Sequence, residues 1–128
     1  MIQNTVPSHM CTQIYYLIKE GKTWSDAQAY CQATYTDLAV LKSKDNIVKL
    51  QSIAQTQRFY SSAWIGLYTN INKWQWSFEN KPVVNFTHWA VTEPNNIYGN
   101  ELCSFICYGK WYEAPCTWLL YFVCFDGE

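Results

Sequence analysis

The 128-residue chain has little charge and no basic field. Asp, Glu, Lys and Arg together make up 15% of it, and the net charge is −1. Nothing in that balance attracts nucleic acid or an anionic membrane surface. No apolar run approaches the roughly 20 residues that a membrane-spanning helix needs, so no membrane insertion is expected. The first ten residues, MIQNTVPSHM, hold no apolar core of the kind a secretory leader requires. They read as an N-terminal extension or an expression scar, with a leader already removed and residues 11–128 forming one domain. Internal repeats and low-complexity tracts are also lacking. Histidine is scarce, at His9 and His88 only, and the spacing Cys103-x3-Cys107-x8-Cys116-x7-Cys124 contains no paired CxxC. Both features argue against zinc. His88, beside Trp89, reads as structural.

Cysteine and aromatic residues are plentiful. Six cysteines in a small chain favour a disulfide framework in an oxidising compartment. The sequon Asn85-Phe86-Thr87 fits the same secreted setting and makes Asn85 a glycosylation acceptor. Seven Trp and ten Tyr imply either a core built of large rings or rings covering a surface that meets other molecules.

The order of elements predicts an α+β fold. Ile14-Tyr15-Tyr16-Leu17-Ile18 reads as a strand. Thr23 and Asp26 form a capping box before a helix that buries Trp24, Ala27, Tyr30/Cys31 and Thr34. Asp37–Leu41 is a short apolar connection. Ser43 caps a second helix with Ile47, Leu50 and Ile53/Ala54 inward. Ala63-Trp64-Ile65-Gly66-Leu67, apolar throughout, should be a central strand. Tyr68 to Leu102 shows little periodicity, and its scattered aromatics predict a folded loop at the working end. A hairpin follows, Leu102–Tyr108 and Trp111–Tyr112 around a Gly109-Lys110 turn. Leu119–Phe125 is the last strand, with the two chain ends paired as neighbours.

The stretch from Glu93 to Cys116 gathers Glu93, Glu101 and Glu113, two asparagines after Pro94, and three cysteines, against the single base Lys110. Carboxylate and amide oxygens concentrated in this way suit a hard cation such as calcium. Paired carboxylates also serve glycosidases, but nothing here suggests a cleft or a proton-transfer pair, and no enzyme is expected.

From Cys11 to Phe125 the chain resembles the C-type lectin-like domain. The signatures are Trp64-Ile65-Gly66-Leu67, Trp74-Gln75-Trp76-Ser77, Glu93-Pro94-Asn95, Asn100-Glu101-Leu102-Cys103, Trp111 before Cys116, and Phe122-Val123-Cys124. The run Lys22-Thr23-Trp24-Ser25-Asp26-Ala27-Gln28 is similar to domains of fish lectins and of mannose-receptor-like proteins. The resemblance implies a C-type lectin-like fold stabilised by bridges Cys31–Cys124 and Cys103–Cys116, each contributing roughly 2–4 kcal/mol. Cys11 and Cys107 are left to pair with each other or to join two chains.

The resemblance also implies one calcium site. Glu93, Asn95 and Glu101 match the family's ligand positions, with a cis bond before Pro94 aiming Glu93 and Asn95 at one point. Glu-Pro-Asn goes with mannose-type sugars, which would meet Glu93, Asn95, Glu101 and Tyr112. The family's Asn-Asp pair is replaced by Tyr112-Glu113. Tyr112 brings no amide, and the Glu113 carboxylate sits one methylene further out, which predicts a weakened site. Residues Tyr68–Lys73 carry no acid, so a second calcium is not expected. The implied partners are mannose-like glycans or a glycoprotein, in a secreted or ectodomain lectin that gains from homo-oligomerisation. The alternative is a calcium-independent protein-binding module using Tyr and Trp as anchors.

Overall fold

The structure, a computed structural model, describes residues 13–70, 73–96 and 102–127. Strand β1 (Ile14–Lys22) leads into helix α1 (Trp24–Thr34), the two-residue strand β2 (Asp37–Leu38) and helix α2 (Lys44–Thr56). Strands β3 (Ala63–Asn70), β4 (Lys73–Trp76) and β5 (Lys81–Pro82) follow, then the ribbon β6 (Cys103–Cys107) and β7 (Lys110–Ala114), and finally β8 (Leu120–Asp126). Among the described residues no helix is long and apolar enough to cross a membrane.

Both helices begin where side-chain chemistry says they should. The Thr23 hydroxyl accepts the Asp26 N–H at 3.3 Å, and Ser43 Oγ accepts the Asn46 N–H at 3.2 Å, each satisfying an amide with no partner inside the helix. The buried faces are Trp24, Ala27 and Cys31 on α1, and Ile47, Leu50 and Ala54 on α2. Thr34, expected on the inner face, is exposed at the last turn, where the chain leaves the core.

The chain ends do pair: β1 runs antiparallel to β8 from Ile14↔Asp126 to Lys22↔Leu120. β3 is the branching element. Its first residues pair in parallel with β8, its last with β4, and its other edge with β6. Such a strand is covered on both faces and must be apolar throughout, which is why Ala63–Leu67 shows no alternation. Gly66 sits at the tightest point. A Cβ there would lie 2.8 Å from Ser77 Oγ and 3.0 Å from the Leu38 carbonyl oxygen. Gly66→Ala is therefore expected to destabilise the domain by about 1–3 kcal/mol despite alanine's better strand propensity, measured by urea unfolding.

Two expectations are corrected. The stretch 68–102 is not one irregular loop, because Lys73–Trp76 forms β4 on β3 (Leu67↔Trp76, Thr69↔Trp74) and Lys81–Pro82 extends it as β5. Four residues are too few for a period-2 pattern to stand out from their surroundings. The hairpin turn is Tyr108-Gly109 rather than Gly109-Lys110. Both turn residues take positive φ (49° and 79°), as a two-residue primed turn demands, so Lys110 already pairs with Cys107.

Two clusters make the core. One joins α2 to the sheet through Leu50, Ile65, Val123, Phe125 and Trp111. The other surrounds the Cys31–Cys124 bridge with Trp24, Trp64 and Phe122. That bridge spans 93 residues of chain and ties α1 to β8, while Cys103–Cys116 spans 13 and fastens β6 to the segment after β7. Cys107 is half-buried and forms no disulfide among the described residues, and Cys11 lies outside them. Asp37 is a buried carboxylate whose oxygens accept from the Leu38 N–H (2.7 Å), the Ser77 hydroxyl (3.0 Å) and the Gln32 amide (3.3 Å). These three donors lock β2 to α1 and to the end of β4. Burial pushes the Tyr15 phenol well above the ordinary tyrosine range.

Candidate functional site

The loop that carries Glu93 is held against β7 by backbone pairing. The Trp111 N–H donates to the His88 carbonyl and the Ala90 N–H to the Trp111 carbonyl, both at 2.9 Å. Beneath that seam lies a stack of rings. Trp111 is fully buried and meets Trp76, Trp89 and Phe86 edge-on at 5.4, 5.5 and 6.0 Å, and Trp89 in turn meets Trp74 at 5.0 Å. His88 is structural, with its Nδ1 hydrogen-bonded to the Gly109 carbonyl and its ring stacked on Phe86. The aromatics of the long segment thus serve as foundation for the loop more than as exposed surface.

On this foundation the chain turns sharply. The Glu93 N–H donates to the Ala90 carbonyl at 3.0 Å, and Thr92 takes φ 69°. The Glu93–Pro94 peptide is cis. Glu93 Oε1 accepts the Glu113 backbone N–H at 2.9 Å, and Glu93 Oε2 accepts from the Asn95 side-chain amide at 3.0 Å. Returning the contact, Glu113 Oε1 accepts the backbone N–H groups of both Asn95 and Asn96. Glu113 is 6% exposed, whereas Asn95 and Asn96 are exposed. Beside them opens a cleft of about 220 Å³, lined by Thr69, Trp74, Pro94, Asn95, Asn96, Leu102 and Glu113.

Of the residues singled out in the sequence, Glu93, Asn95 and Glu113 are thus brought together. Glu101 lies outside the described residues. Among the described residues no three acidic, histidine or cysteine side chains converge. Tyr112 is not brought to the cleft. Successive side chains of a strand point to opposite faces, so Trp111 and Glu113 face the loop while the Tyr112 ring stacks on Phe105, 5.2 Å away and 14° from parallel. Asn85 is exposed, with φ 66°, and Thr87 is exposed too, so the sequon is open to solvent. Thr69, Trp74 and Asn96 were missed. Asn96 was signalled only by following Asn95, and Thr69 reaches the cleft through the pairing of β3 with β4, which no local pattern reveals.

The donor set fits a hard cation in atom type and charge. It offers two carboxylates drawn to one corner of the chain, together with an amide oxygen, and no soft ligand. One oxygen of Glu113 is already engaged by two backbone amides.

The sequence matches the family model of the lectin C-type domain over residues 20–125. The chain belongs to the C-type lectin domain family. It is 34% identical over 113 residues to E-selectin of Oryctolagus cuniculus, an overlap of 83% of this chain and 20% of that protein. It is 33% identical over 115 residues to a C-type lectin of Cerberus rynchops, covering 84% of this chain and 73% of that lectin. Among solved structures, human lithostathine superposes with a TM-score of 0.80 at 24% identity, over 98% of this chain and 96% of that one. This C-type lectin domain thus spans about a fifth of the selectin it matches. The fold expected from the resemblance, including both bridges, is the one observed.

Proposed function

We propose that this domain binds mannose-type glycans, free or on a glycoprotein, in a calcium-dependent manner through Glu93, Asn95 and Glu113, with Glu101 as the further carboxylate. The observation that carries the reading is the mutual hydrogen bonding of Glu93, Asn95 and Glu113 around the Glu93–Pro94 corner. Calcium, when bound, would supply open coordination positions for two neighbouring sugar hydroxyls. The protein's own part is directional. A Glu93 carboxylate oxygen accepts from one hydroxyl, while the Asn95 side-chain amide donates to the next. Trp89 and Trp111, packed against each other, support the segment that carries both groups. The two disulfides support an extracellular setting, and the exposed sequon at Asn85 suits a glycosylated secreted chain. Material from a eukaryotic secretory host should shift in mass on treatment with a peptide N-glycosidase, and Asn85→Gln should remove the shift.

The test is retention on mannose-agarose with calcium and release by EDTA. Retention that ignores EDTA, or no retention with calcium present, overturns the reading. A second reading, a calcium-independent protein-binding module, is favoured by one observation. Glu113 already caps the Asn95 and Asn96 amides, which orders the loop without an ion. Calorimetry that shows no heat with calcium would support it.

A further inference from the structure

A second cavity, on the α2 side of the sheet, shares no lining residue with the cleft at Glu113. It measures about 320 Å³ and opens between α2, the middle of β1 and the β6–β7 turn. Its base is hydrocarbon, from Leu17, Leu50, Ala54, Ile106 and Val123. Its mouth is polar but uncharged, from Gln51, Gln55, Tyr60, Ser61 and Tyr108. The Tyr60 and Tyr108 rings lie 6.3 Å apart and 12° from parallel, and they are 56% and 73% exposed. Gln51 braces the hairpin tip, where a Cβ on Gly109 would come within 3.4 Å of its side chain.

We propose that this cavity is a binding site for a small neutral amphiphile: an aromatic or short aliphatic body carrying one hydroxyl or amide. The volume is that of a small-molecule pocket and admits a ligand of about ten to fifteen non-hydrogen atoms. The chemistry of the lining selects the class. A hydrocarbon base favours an apolar body, and the Gln, Ser and Tyr groups at the mouth donate to or accept from one polar end. No charged side chain lines the cavity among the described residues, so an ionic ligand would be desolvated there without compensation. The two flat, exposed tyrosine rings give an aromatic body a stacking surface at the entrance.

The probe is 2-naphthol, followed by calorimetry and by its own fluorescence, with naphthalene-2-sulfonate as the charged counterpart. Saturable binding of 2-naphthol with a Kd of about 100 µM or tighter is expected, unaffected by EDTA, with the sulfonate at least tenfold weaker. Ala54→Leu fills the base of the cavity and should weaken 2-naphthol at least tenfold. Should that variant lose its near-UV circular dichroism, Gln55→Trp decides, because it blocks the mouth from an exposed helix position. No saturable binding up to about 1 mM overturns the proposal, and would be the result for a cavity that accepts only a partner protein's side chain. Equal binding by the folded variants, or by the sulfonate, overturns it as well.

Discussion

Glu113→Ala is expected to abolish calcium-dependent retention on mannose-agarose and to lower stability by about 2–4 kcal/mol. The two losses have separate causes. The stability loss comes from the backbone. Oε1 of Glu113 accepts from the Asn95 and Asn96 N–H groups, and its removal takes that charged acceptor away from both. The loss of retention rests on the proposed role of Glu113 as an ion ligand. Glu113→Gln separates them, since its side-chain carbonyl still accepts from the two amides but brings no charge. That variant should unfold within about 1 kcal/mol of the parent, yet bind calcium at least tenfold more weakly, a difference of about 1.4 kcal/mol. Glu113→Asp, usually the milder change, should behave more like alanine in stability, because its carboxylate falls one methylene short of both N–H groups. Urea unfolding in EDTA reads the clamp, and calcium calorimetry reads the ligand. Parent-like unfolding of Glu113→Ala would remove the clamp from the account. Calcium binding by Glu113→Gln equal to the parent's would remove the ligand role.

Much of this corner was legible in the sequence, and the part that was not has a definite physical reason. Glu93, Pro94 and Asn95 are neighbours in the chain, so their meeting at one corner is local. The same holds for the helix starts at Thr23 and Ser43, where a cap acts on an amide three residues away. Glu113 was read as an ion ligand with a long arm, and its oxygen is found on the backbone of residues 95 and 96. That contact depends on how the 88–96 segment lies along β7, a long-range register that no local pattern encodes. Tyr112 was placed at the sugar because the resemblance aligns it with the asparagine of the family's Asn-Asp pair, although strand alternation turns it onto Phe105. Had Trp111–Ala114 been read as a strand with Trp111 inward, Glu113 would have followed Trp111 and Tyr112 would have been set aside. β4 was hidden for a related reason, because Trp74 and Trp76 looked like scattered rings until their pairing with Thr69 and Leu67 supplied the sheet. The bridges followed from the resemblance, and Glu101 lies outside the described residues.

Trp111→Ala is expected to cost about 3–5 kcal/mol of stability and to weaken glycan retention although Trp111 is not itself a proposed ligand. Its side chain is fully buried and meets three rings edge-on, from Trp76 on β4 and from Trp89 and Phe86 in the segment leading to Glu93. Alanine keeps the backbone bonds to His88 and Ala90 but leaves Trp89 facing a void, so the loop loses its floor while its seam survives. Trp111→Phe makes the comparison sharper. Trp111 Nε1 is buried with no hydrogen-bond partner among the described residues, and such an orphan donor costs about 1–3 kcal/mol. Phenylalanine removes that donor while keeping an edge for Trp76 and Trp89, so part of the lost volume is offset and the net cost should be about 1–2 kcal/mol. The order of stability is therefore parent, then Phe, then Ala, read by urea unfolding, with near-UV circular dichroism reporting the ring cluster. Retention on mannose-agarose should follow the same order, because the proposed ligands Glu93 and Asn95 are carried by the segment that the rings support. A Trp111→Ala protein with parent-like retention would show that the Glu93–Glu113 hydrogen bonds alone hold the corner, and that the aromatic floor serves stability only.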